Sequence, residues 1–72
     1  MRTFYYAKIA GYVPIIDEDR SLTDAYVSWN NRARDGEPMR DRDGNRMLCG
    51  TVLAANFAEA CAKVSEEIKE KM

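Results

Sequence analysis

The sequence predicts an α+β fold: a small antiparallel sheet in β-α-β-β-α order, packed against a C-terminal amphipathic helix. Three observations carry this prediction. An aromatic and β-branched run spans Arg2 to Val13, Asp43-Gly44 gives a hairpin signal, and Asn56 to Met72 is a capped helical pattern with one apolar stripe. At 72 residues the chain is one domain, residues 1–72, with one core at most. A core of this size seldom gives more than about 3 to 5 kcal/mol, so association with a partner or a second copy is a natural supplement.

The first strand rests on Phe4, Tyr5, Tyr6 and Ile9, side chains that suit a pleated, half-buried surface. Phe4, Tyr6, Lys8 and Ala10 form one face, and Thr3, Tyr5, Ala7 and Ile9 the other. Both are partly apolar, so the alternation leaves open which face looks inward. Gly11 and Pro14 weaken pairing, and Asp17-Glu18-Asp19-Arg20 reads as a polar connection. Ser21-Leu22-Thr23-Asp24 resembles a capping box. A helix from Leu22 to Ala33 would align Leu22, Tyr26, Trp29 and Ala33, although Ala25, Val27 and Trp29 also alternate as a strand would.

Asp35-Gly36-Glu37-Pro38 has the composition of a turn. Asp43-Gly44 suits a two-residue type I′ loop. In that register Arg42 faces Asn45, Asp41 faces Arg46, Arg40 faces Met47 and Met39 faces Leu48, which pairs charge with charge and apolar with apolar. The second hairpin strand continues through Leu53. Asn56 then caps the last helix with Glu59 three residues on, and Phe57, Ala60, Cys61, Val64 and Ile68 form its stripe. Glu59 to Lys63 and Glu67 to Lys71 are favourable i,i+4 pairs.

Eleven basic and twelve acidic residues leave a formal charge of −1, so no overall field attracts a polyanion or a membrane. No transmembrane span or signal peptide is visible, and the expected location is cytoplasmic with no membrane partner. Cys49 and Cys61 are too few for a disulfide framework and are expected to be reduced and buried. Without histidine the chain lacks the commonest general base and metal ligand. Its glycines are scattered, which excludes a phosphate-binding loop. Asp41-Arg42-Asp43-Gly44-Asn45 starts like a calcium loop, but Arg46 stands where the turn glycine belongs and Val52 where the bidentate glutamate belongs. No catalytic, cofactor-binding or metal residue is therefore assigned, and no enzyme is expected.

Two residue classes remain as contact candidates. Arg32, Arg34, Arg40, Arg42 and Arg46 lie close in sequence to Trp29, and arginine beside an aromatic face can clamp phosphate and stack a base. Interleaved Asp35, Glu37, Asp41 and Asp43 favour internal pairing instead. Seven aromatics exceed what one thin core takes up, and tyrosines tolerate an interface better than a dry core. The candidate partner-binding residues are accordingly Tyr5, Tyr6, Tyr12, Trp29, Arg32, Arg34, Arg40 and Arg42.

The run Gly50-Thr51-Val52-Leu53-Ala54-Ala55-Asn56-Phe57-Ala58-Glu59-Ala60, with the small size, resembles the compact α+β accessory proteins of bacteriophages, anti-CRISPR proteins among them. The resemblance covers about a third of the chain and implies action by occluding a nuclease complex; it transfers no functional residue. The leading expectation is a non-enzymatic inhibitor or adaptor that binds a larger host or phage protein complex. A nucleic-acid-binding module using the arginine hairpin is second, and a self-associating subunit, such as a homodimer, third.

Overall fold

A computed structural model describes residues 1–72 as β1 (Arg2–Ile9), β2 (Ile15–Asp17), α1 (Arg20–Asn30), β3 (Met47–Ala54) and α2 (Phe57–Lys71). The strands form one antiparallel sheet in the order β2-β1-β3. The α+β class and the closing helix on the sheet are as expected. The order of elements is not, because β2 precedes α1 and the segment before Asp43 does not become a strand. No helix is long and apolar enough to cross a membrane.

β2 forms because the chain reverses at Gly11, whose φ of 92° suits glycine, while Tyr12 N–H donates to Ile9 O. Pro14 sits just ahead of the strand, where no ladder donor is lost. Only Tyr5, Tyr6 and Ala7 pair with β2. A bidentate pair from Arg2 to Glu18, 2.5 and 2.7 Å, ties the strand ends together, and that bonding holds the Glu18 carboxyl below its ordinary range.

The hairpin register differs from the expected one by a single residue. Gly44 alone has positive φ at this turn, 83°, and Asp43 does not, which rules out a type I′ loop. Gly44 N–H donates to Asp41 O and Asp41 N–H to Asn45 O, so the loop has three residues, a type I turn with a glycine bulge. Arg40 now stands opposite Arg46 in an isolated bridge. Like charges face each other there, which disfavours extending the ladder.

α2 follows the sequence closely. Asn56 accepts from Glu59 N–H at 2.9 Å, and Lys69 and Lys71 occupy the last turn. Ala60 and Val64 are fully buried against Phe4, Tyr6, Val52 and Ala54, with Ile16, Leu48 and Ile68 at the margin. Burying a side chain such as Val64 contributes about 1.5 to 3 kcal/mol. Phe57, at the stripe's start, is 55% exposed and touches Phe4 edge-on at 6.3 Å between centroids. Tyr6 fits because its cross-strand neighbour is Gly50, where a Cβ would stand 2.8 Å from the Tyr6 ring. Its hydroxyl has no hydrogen-bond partner, and burial pushes its pKa up.

The open question of which β1 face looks inward has a double answer. Phe4 and Tyr6 meet α2, while Ala7 and Ile9 on the other face are also buried and lie outside that cluster. α1 supplies the second cover, packing on β1 and β2. The helical alternative for residues 22–33 is thus the right one, with different bounds. Asp19, not Ser21, is the cap, accepting from Ser21 N–H at 2.9 Å and Ser21 Oγ–H at 2.7 Å. The helix stops at Asn30, where Asn31 turns away and accepts from Ala33 N–H.

The orientation of α1 overturns the expected stripe. Thr23 is its buried residue, with the hydroxyl satisfied by Arg20 O at 3.0 Å, and Tyr26 and Val27 are half-buried. Leu22 and Trp29 are exposed. The cysteines are free, as expected, but not buried: Cys49 is exposed and Cys61 half-buried.

Candidate protein-docking site

Trp29 lies one turn beyond Tyr26 on α1, so the two side chains share a face of the helix. They form the shared wall of two depressions. One is an apolar groove bounded by Ile15, Ile16, Leu22 and Ala25. The other is a cleft of about 250 Å³ bounded by Ile9, Tyr12, Arg32, Asp41, Arg42 and Asp43. Trp29 is 79% exposed at this ridge, with Tyr12 at 55% and Leu22 at 53%.

The loop that builds the charged side of the cleft is held by short polar bonds. Asp41, 7% exposed, accepts from Asp43 N–H at 2.9 Å, Asn45 N–H at 2.8 Å and Asn45 Nδ2 at 3.2 Å. Burial alone would raise its pKa; the bonds from Asn45 and Asp43 and the nearby Arg42 outweigh it, and the carboxyl lies below its ordinary value. Arg32 N–H donates to Arg40 O at 2.8 Å, which joins the loop to the end of α1. Arg32 Nη1 donates to Trp29 O at 2.7 Å and Asn31 O at 3.1 Å, so its cation complements the negative helix end. Arg42 forms no ion pair and is exposed.

Of the residues singled out by sequence, Tyr12, Trp29, Arg32 and Arg42 come together in this cleft. Arg34 and Arg40 lie outside it; Arg40 is 3.5 Å from Glu37, and Arg34 N–H donates to the same carboxylate at 2.8 Å. Tyr5 is half-buried beside a separate cleft between α1 and β3, with Val27, Cys49 and Thr51. Tyr6 is a correction, since at 1% exposure it belongs to the core and has no surface to offer. Sequence reasoning missed Tyr26 and Asp41 as parts of the site. The helical step from Tyr26 to Trp29 held a signal for the first, and an aspartate two residues before Asp43-Gly44 held one for the second.

Chemically, the ridge offers aromatic and aliphatic surface on one side and balanced charge on the other, two arginines against two aspartates. That combination suits a partner surface with an apolar patch bordered by charge. No cluster of three His, Cys, Asp or Glu side chains is placed to hold a metal ion. No family model matches the chain, and no curated protein or solved structure is significantly similar to it.

Proposed function

We propose that this chain is a non-enzymatic protein-binding inhibitor or adaptor that docks on a larger protein complex and occludes it, with Trp29 as its anchor. One observation carries the reading: a tryptophan 79% exposed on an ordered helix, between an apolar groove and a charged cleft. A large aromatic side chain left in water forgoes burial that a partner can supply, and Trp, Tyr and Arg are the residues that dominate interface energetics. Arg42, free of internal ion pairs, adds a charge for orientation. A phage or mobile-element protein acting in a host cytoplasm is the setting that suits this role.

Affinity capture from host lysate, followed by mass spectrometry, tests it. A stoichiometric protein that is retained by the unaltered chain and lost with Trp29→Ala supports the reading. Absence of any such protein, or capture indifferent to both Trp29→Ala and Arg42→Ala, overturns it.

A nucleic-acid-binding role ranks second. It is favoured by Tyr12, Tyr26 and Trp29 standing beside Arg32 and Arg42, and disfavoured by the two aspartates among them. Oligonucleotide binding that weakens steeply with salt would promote it over protein docking.

A further inference from the structure

The two helices cover the faces of the sheet and leave its two edges, β2 and β3, without a neighbouring strand along most of their length. α1 packs on β1 and β2, and α2 packs across β3 and β1 on the opposite face. β3 is an edge strand, and its outer side has no neighbouring strand beyond Met47. Ala10 N–H donates to Arg46 O, which sets the parity of the ladder. In an antiparallel pair the bonded residues alternate, so Leu48, Gly50, Val52 and Ala54 exchange bonds with β1. Met47, Cys49, Thr51 and Leu53 turn their N–H and C=O groups outward.

Two bonds agree with that parity. Met47 N–H donates to Met39 O at 3.1 Å, and Lys63 Nζ donates to Leu53 O at 2.5 Å. Between them the outward groups of Cys49 and Thr51 and the N–H of Leu53 face solvent, along about 17 Å of extended chain. All three side chains are exposed, Leu53 at 54%. Such an edge is a template for another strand.

Charge selects the occupant. A groove along this edge is bounded by Thr51, Leu53, Lys63, Glu66, Glu67 and Glu70. Lys63 is 3.2 Å from Glu59, Glu66 is 3.9 Å from Lys69 and Glu67 is 2.8 Å from Lys71, while Glu70 has no ion-pair partner; with three glutamates against one lysine along its wall, the groove presents net negative charge. A second copy paired antiparallel about a dyad would set these glutamates against their own images. We infer that the outer edge of β3, from Cys49 to Leu53, takes an extended basic segment of a partner protein as a fourth strand. Main chain bonds main chain, with alternate Lys or Arg side chains set against Glu66, Glu67 and Glu70. The intervening residues of that segment lie beside Leu53 and the cleft formed by Tyr5, Val27, Cys49 and Thr51. This surface is separate from the Trp29 ridge and stands without it.

The test uses the full chain and a fluorescent peptide of alternating Lys and Val, with an alternating Glu and Val peptide as control. The basic peptide is expected to bind, to slow hydrogen exchange at the Cys49, Thr51 and Leu53 amides, and to weaken as salt rises. Thr51→Pro removes one outward donor without touching the β1 ladder and is expected to weaken binding about tenfold. Glu66→Gln with Glu70→Gln, at exposed sites, is expected to reduce the salt dependence while leaving the fold intact. Trp29→Ala is expected to bind the peptide as the unaltered chain does. Equal binding of the acidic peptide, no protection of those amides, or loss of binding with Trp29→Ala would each overturn the inference. The exchange and double-glutamine measurements decide the matter even if the proline variant fails to fold.

Discussion

α1 and α2 flank the same sheet, and each carries an apolar stripe at helical spacing, yet only α2 fully buries residues of its stripe, with Phe57 at the start left 55% exposed. Ala60 and Val64 are fully buried, whereas Leu22 and Trp29 on α1 are half or more exposed. The difference lies in what each sheet face offers. Under α2 lie Phe4, Tyr6, Val52 and Ala54, a surface wide enough to take Val64 between them. On the face that α1 covers, the buried strand positions are Ala7 and Ile9, with the three-residue β2 alongside, and Thr23 is the one buried residue of the helix. Periodicity thus locates a stripe but leaves open whether the fold or a partner covers it. A stripe of large residues left in water over a narrow face is the feature on which the docking proposal rests.

If this contrast is right, substitutions on the two sides of the sheet should separate stability from binding. The largest effect is expected at Phe4, 2% exposed at the centre of the α2 face. Phe4→Ala should cost about 3 to 5 kcal/mol in denaturant unfolding, enough to unfold much of so small a domain at room temperature. Gly50→Ala comes next. A Cβ there would stand 2.8 Å from Tyr6 atoms that are themselves packed, and overpacking of this kind costs about 1 to 3 kcal/mol, which thermal melting would resolve.

Acid should act next, through the caps and the turn rather than through the α2 core. Hydrogen bonding holds Glu18 and Asp19 below their ordinary pKa values, through Arg2 and Ser21 respectively. Asp41 is also lowered, because its bonds from Asn45 and Asp43 overcome the opposing effect of burial. For each, the folded chain binds fewer protons than the unfolded one, so stability is fully present above the ordinary carboxylate range near pH 4 and is lost as pH falls through the folded values. The melting temperature should therefore decline on acidification below about pH 5, and Asp41→Asn should make that decline shallower. A flat profile down to pH 3 would show that these bonds do not matter to folding.

The smallest stability effect is expected at Trp29. Trp29→Ala should change unfolding by less than about 0.5 kcal/mol, although it removes the largest side chain of α1. A loss of 2 kcal/mol or more would place the tryptophan with the core and remove the contrast.

The sequence was most legible where several local signals agreed. Asn56, Glu59, the stripe through Val64 and the terminal lysines all specified α2, and the structure has that helix from Phe57 to Lys71. β1 was legible from its start at Arg2, but the aromatic and β-branched run extends to Val13 while the strand ends at Ile9, and its two apolar faces could be read only once both covers were known. β2 was missed because three residues after a proline carry too little pattern, and their pairing depends on a turn at Gly11. The turn at Gly44 was found but not its length, since the choice between two and three loop residues rests on the sign of φ at Asp43, which composition does not reveal. At the candidate site, Tyr12, Trp29, Arg32 and Arg42 were legible as residue types. Their grouping was not, because it depends on Arg32 bonding across to Arg40 and on the direction in which α1 faces.

The pairing of β1 with β3 also constrains the order in which the molecule can form. Its rungs run from Ile9 with Met47 to Arg2 with Ala54, residues 38 to 52 positions apart. Closing so long a loop early is entropically costly, while the β1–β2 reversal and both helices involve only near neighbours. During synthesis Phe4 and Tyr6 emerge before β3 and α2 and wait for them before they find cover. The nascent chain therefore carries an uncovered aromatic strand until α2 has been made, and its yield should be governed by how quickly α2 arrives to close it.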